Sequence, residues 1–128
     1  MKGYSSYMRP KFLNLLKIRL PLTGIVSILH RVSGVLLVIA IPVSLYWLQA
    51  SLISPGGYQF AMEWIKSPLG VTSTLAGLAA LLYHLFSGLR FLLVDAGMPM
   101  NKQRARWSAG VVIVATIVAV AALLGRVS

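Results

Sequence analysis

Residues 22–50 read LTGIVSILHRVSGVLLVIAIPVSLYWLQA, and no charge follows Arg31 in that run. About 20 mostly apolar residues make a helix long enough to cross the hydrocarbon of a bilayer. Two further stretches meet the same criterion, at about 68–94, with Arg90 near its end, and about 107–125, rich in Val, Ala and Ile. The expected fold class is therefore an all-α integral membrane protein with three transmembrane helices in a single domain. Pro42 lies inside the first span, where it removes a backbone donor; membrane helices tolerate this when neighbours satisfy the freed carbonyl.

Composition supports this reading. Of 128 residues, 58% are hydrophobic and 11% charged, against about 25% charged in ordinary soluble domains. A soluble chain of this length has too little interior for so much apolar surface. The net charge of +10 would suggest nucleic acid in a soluble protein, but here the basic residues border apolar runs, which points to membrane orientation. With no cysteine in the chain, disulfides, iron–sulfur ligation and thioether haem attachment by this chain are excluded. Charges scattered through residues 1–20 argue against a cleavable signal peptide.

Lys2, Arg9, Lys11, Lys17, Arg19 and Arg31 precede or begin the first span, and Arg90, Lys102, Arg104 and Arg106 surround the connection at 95–106. The first connection, 51–67, has only Lys66, balanced by Glu63, and the tail only Arg126. Positive residues favour the cytoplasmic side, so the expected topology is N-terminus inside and C-terminus outside. Residues 1–21 form a cytoplasmic or interfacial segment in which 11–20 reads either as a short amphipathic helix or as a basic tail near the headgroups. Tyr46, Trp47, Trp64 and Trp107 fall near the expected interfaces. Residues 51–67, with Ser54-Pro55-Gly56-Gly57, read as a loop containing at most one short helical turn.

Ionisable and polar groups inside spans are costly, so each is a functional candidate. Ser27 is one helical turn from both His30 and Arg31, and Gly24 and Gly34 extend that stripe. A guanidinium there can hold a carboxylate or a carbonyl oxygen, and Ser27 can donate a hydrogen bond. The alternative is that His30 and Arg31 snorkel to the headgroups, which leaves the shared face with Ser27 unexplained. On the second span, Gly77, Ala80, His84, Gly88 and Asp95 fall in one narrow stripe. Small residues around an imidazole leave a flat slot that suits a porphyrin bound through His84, and they equally suit close helix packing. His84 is expected about 15 Å or more into the membrane. His30 and His84 are expected at different depths, so a second axial ligand would come from another subunit. Arg90 and Asp95 are expected to pair as a cap across one turn. In the third span Ala115, Ala119 and Ala122 read as scaffold, with Thr116 its polar interior residue.

These clusters carry a resemblance. Arg9-Pro10 with Ser27-x-x-His30-Arg31-x-Ser33-Gly34, and then His84-x-x-x-Gly88-Leu89-Arg90-Phe91 with Asp95-x-Gly97, resemble the two signatures of the cytochrome b556 membrane-anchor subunit of bacterial succinate dehydrogenase. The resemblance covers about residues 9–97 and departs at Lys11 and Val94. It implies a multi-pass protein of the bacterial inner membrane that packs with a second three-helix anchor subunit and shares one haem b with it. His84 is implied as the axial iron ligand, Ser27, Ile28 and Arg31 as contacts for ubiquinone, and His30 and Arg31 as partners of the haem propionates. Flavoprotein and iron–sulfur subunits are implied as the partners that oxidise succinate, a reaction this chain would not perform alone. A haem-free basic anchor for a peripheral enzyme is the competing reading. Fumarate reductase lies nearest within the first reading, the residues alone setting no direction of electron flow.

Overall fold

A computed structural model describes residues 20–127. The expectations for Arg9-Pro10 and for the amphipathic stretch at 11–20 fall, Leu20 apart, outside the described residues. The order of elements is α1 (Leu22–Ile53), α2 (Pro55–Lys66), α3 (Pro68–Asp95) and α4 (Lys102–Val127). Helices α1, α3 and α4 are each long and apolar enough to cross a membrane. At about 1.5 Å per residue, α1 is roughly 48 Å long, more than the ~30 Å of hydrocarbon. It runs through Pro42 without interruption.

The architecture is apolar outward and small inward. Val35, Val38, Leu52, Leu69 and Leu92 are exposed, whereas the buried positions among the described residues are Val26, Ser33, Ala61, Gly70, Ala80, Ser87, Ala109, Val112 and Thr116. In lipid, helices gain little by hiding Leu from Leu, so small residues that let backbones approach occupy the contacts. On α4 the buried face is Ala109, Val112 and Thr116, not the expected alanine set of 115, 119 and 122. The Thr116 hydroxyl donates to the Val112 carbonyl at 2.8 Å, which removes the cost of burying it.

The connection expected as a loop contains a 12-residue helix, α2. Ser54 Oγ accepts from the Gly57 N–H at 3.0 Å and Pro55 stands in the first turn, where a missing N–H costs nothing. Ser67 repeats the device for α3, accepting from the Gly70 N–H at 3.0 Å, with Pro68 following. Trp47 and Trp64 stack with centroids 4.5 Å apart, Phe60 leans on Trp47 at 5.5 Å, and Ala61 is buried beneath. Two glycines make this end possible. A Cβ on Gly57 would run into the Ala50 carbonyl, and one on Gly70 into the Trp64 carbonyl.

At the opposite end α3 extends to Asp95, and Gly97 adopts a φ of 93°, a conformation glycine reaches without strain. Helix α4 begins at Lys102, ahead of the expected Trp107, because Asn101 Oδ1 accepts from the Arg104 N–H at 2.8 Å and caps it. Basic connector residues are thereby helical. Arg90 does not pair with Asp95. It crosses to α4, where Nε donates to Ser108 Oγ at 2.9 Å and Nη2 to the Ala105 carbonyl at 3.3 Å. The side chain is long enough to reach two real acceptors, and that outweighs an exposed one-turn ion pair, worth only a few tenths of a kcal/mol.

Candidate functional site

Helices α1 and α3 are antiparallel: Gly34 lies against His84 and His30 against Gly88, so residue numbers descend on one helix as they rise on the other. This register corrects the expected difference in depth between the two histidines. The His30 and His84 rings are stacked, with centroids 4.1 Å apart and planes 15° from parallel. The register depends on where α2 delivers α3, which the helix lengths alone do not reveal. Phe91 closes the other side of His30 at 5.3 Å, and the Arg90 guanidinium lies 5.3 Å from the Phe91 ring.

Two polar atoms converge on one nitrogen of His84. Ser33 Oγ lies 3.1 Å from Nδ1 and the His30 carbonyl 3.2 Å from it, while Ser33 Oγ also donates to that carbonyl at 2.8 Å. Ser33 is buried. Among the described residues His84 Nε2 has no hydrogen-bond partner, and His30 Nε2 and Ser87 Oγ are buried without partners. Tyr83 ties α3 to α1 lower down, its hydroxyl donating to the Val26 carbonyl at 3.0 Å.

The glycines have a different use from the expected porphyrin slot. A Cβ on Gly34 would stand 3.1 Å from His84 Cε1, and one on Gly88 would stand 3.4 Å from His30 Nε2. Both glycines make room for imidazoles of the opposite helix. Gly77 is the member of the stripe with open space beside it, nothing lying within 4 Å of its Cβ position.

The first cluster divides. Successive residues turn by about 100° on a helix, so with His30 directed at α3, Ser27 stands about 60° and Arg31 about 100° to one side. Ile28 is turned further, about 160° away. Consistently, His30 is half-buried while Ile28 and Arg31 are exposed. On α3 the same count places Gly77, Leu81 and Gly88 to one side of His84. In an antiparallel pair these flanks of α1 and α3 lie on the same side. Helix α4 covers a different side, where it is bonded to Arg90 of α3. Among the described residues Ser27 and Arg31 therefore stand on a flank of the α1–α3 pair that α4 does not cover. Among the described residues no cluster of three or more His, Cys, Asp or Glu could hold a metal ion.

Ser33 and Tyr83 are the residues whose contacts the sequence reading did not assign. Ser33 stands inside the quoted motif, three residues after His30, and that spacing was the available signal. Tyr83 adjoins His84 in sequence but bonds to a carbonyl, which leaves no trace in residue type.

Comparison with known proteins agrees in length and character. Residues 5–124 match the family described as succinate dehydrogenase/fumarate reductase transmembrane subunit. The chain is similar to the succinate dehydrogenase cytochrome b556 subunit of Paracoccus denitrificans, 37% identical over 86% of this chain and 85% of that one. It is similar to the protein of the same name from Coxiella burnetii, 32% identical over 88% and 90%. The mitochondrial succinate dehydrogenase cytochrome b560 subunit of Bos taurus is 33% identical over 71% of this chain and 55% of that protein.

Proposed function

The chain belongs to the succinate dehydrogenase/fumarate reductase transmembrane subunit family, and we propose that it is the cytochrome b anchor of a succinate:ubiquinone oxidoreductase (complex II). Its three apolar helices and its family fit a multi-pass protein of the bacterial inner membrane. In this reading it shares a haem b with a second hydrophobic anchor subunit, forms part of the ubiquinone site, and holds the iron–sulfur and flavoprotein subunits at the membrane. Succinate is oxidised by the flavoprotein, not by this chain.

One observation carries the haem assignment: His84 is held at Nδ1 from α1 while Nε2 has no hydrogen-bond partner among the described residues. A haem ligand needs that division, one nitrogen oriented by the protein and the other offered to iron. A bound haem supplies a one-electron carrier inside the membrane. The second axial ligand comes from the partner anchor. Only two histidines exist in the chain, and His30, stacked face to face with His84, would not offer a nitrogen to the same iron.

Arg31 is exposed on the flank that α4 does not cover and is suited both to propionate carboxylates and to the charge that develops on a quinone during reduction. His30, whose ring stacks on His84, would join Arg31 at the propionates. Ser27 donates to a quinone oxygen and Ile28 provides an apolar contact. Charge supports the proposed orientation: Lys102, Arg104 and Arg106 stand at the same end as the start of α1, and positive residues favour the cytoplasmic side.

Replacing His84 by Leu in the purified complex tests the assignment. Loss of the low-spin haem spectrum with assembly retained is the expected result. A complex that keeps an unaltered haem spectrum would refute it.

A further inference from the structure

We infer that Ser33 is the positioning residue that fixes the tautomer of His84, and through it the electron-donating strength of the Nε2 offered to haem. The inference rests on the haem reading of His84 given above and extends it to a residue outside the contact set.

The argument is a count of donors and acceptors. A hydroxyl carries one proton. Ser33 directs it to the His30 carbonyl at 2.8 Å, the shorter of its two contacts. What Ser33 then presents to His84 Nδ1 at 3.1 Å is a lone pair. The second atom facing Nδ1, the His30 carbonyl at 3.2 Å, is also an acceptor. With acceptors on both approaches, Nδ1 must carry the proton and Nε2 the free pair. The opposite tautomer would set the Nδ1 lone pair against a carbonyl lone pair in a part-buried position, at a cost of up to about 1–3 kcal/mol for the unmade hydrogen bond.

Between the two acceptors Ser33 has the greater capacity. The His30 carbonyl has two lone pairs, one engaged by the N–H four residues on in the helix and one by Ser33 itself. Ser33 Oγ is nearer to Nδ1 and has lone pairs to spare. Gly34 allows the approach, its missing Cβ leaving 3.1 Å to His84 Cε1, and the stacked His30 ring stops the imidazole from turning about. A partner on the N–H of a ligating imidazole raises the basicity of the other nitrogen, and such hydrogen bonds set redox potential.

The test uses the whole four-subunit complex, with Ser33→Ala and Ser33→Thr measured beside His84→Leu. In Ser33→Ala the freed His30 carbonyl takes over part of the bond, so retention of haem falls about 10-fold, the lower end for loss of such a partner. The midpoint potential moves upward, because a less basic ligand favours ferrous iron, and the low-spin EPR signal shifts with it. Ser33→Thr keeps the hydroxyl and keeps the parent potential. This second variant decides the matter if the alanine variant assembles poorly. Unchanged haem retention, potential and EPR signal in Ser33→Ala would overturn the inference, as would a threonine variant whose potential shifts as far as that of alanine. His84→Leu separates the two levels. If it retains its spectrum the haem reading itself fails, whereas loss of haem there with a silent Ser33→Ala defeats the role of Ser33 alone.

Discussion

Gly34→Ala adds one carbon where two helices meet, and two effects of opposite sign compete. Alanine is favoured over glycine in a helix by about 0.8–1.0 kcal/mol. Against this, the new Cβ stands 3.1 Å from His84 Cε1 and 3.6 Å from Nδ1. Carbon pairs settle at about 3.5–4.0 Å, so the imidazole must retreat from α1 by roughly 0.4 Å or more. The same movement lengthens the Nδ1 contacts with Ser33 and His30, now 3.1 and 3.2 Å, beyond useful hydrogen-bond range. Overpacking costs about 1–3 kcal/mol, so the net change in stability is small, roughly 0–2 kcal/mol against the fold. Loss of haem is the larger effect. The assay is haem per flavin in the purified complex, with the midpoint potential and thermal unfolding measured on the same preparation. Gly110→Ala, with nothing within 4 Å of its Cβ position, is the control and should leave haem content and midpoint potential unchanged. A Gly34→Ala complex with full haem and the parent potential would refute the claim that α1 positions His84 through contact at this glycine.

Arg31→Leu should lower ubiquinone reduction about 100-fold, the usual scale for removing a donor aimed at developing charge, while succinate oxidation by an artificial dye persists; equal loss of both activities would remove Arg31 from the quinone site. Arg90→Leu deletes the bonds to Ser108 and Ala105 and should cost about 1.5–3 kcal/mol, read as a lower unfolding temperature with the haem spectrum intact. A variant as stable as the parent would show that α3 and α4 do not depend on this link. Gly70→Ala drives a Cβ into the Trp64 carbonyl, backbone that cannot step aside, so the expected result is poor assembly with a cost at or above the ~3 kcal/mol typical of strong overpacking; normal yield and stability would contradict the tight α2–α3 crossing.

The spanning helices were legible because length and apolarity suffice to specify them. The 22–50 run and the helix from Leu22 coincide at their start for that reason. Residues 54–57 were not legible as a helix start, since Ser-Pro-Gly-Gly is equally the chemistry of a turn. What made it helical was the Ser54 cap together with the stacking of Trp64 on Trp47, a contact between residues far apart in sequence. Ser27, Arg31 and His84 stood out as polar groups in apolar runs. The stacking of His30 on His84 did not, because it depends on the register between α1 and α3. Arg90 shows the same limit: a long side chain reached the neighbouring helix in preference to the carboxylate one turn away.

The tight corner at α2 acts as a ruler for the distant histidines. Trp47 lies 17 residues beyond His30 in sequence, about 25 Å along the helix, yet the corner beside it sets which residue of α3 meets α1. One residue inserted between Ser54 and Ser67 would advance α3 by about 1.5 Å and turn it by about 100°, sweeping His84 away from Ser33. The connector at 96–101 follows the site and bears no such burden. Length variation among descendants of this chain should therefore collect in that second connector and spare the first.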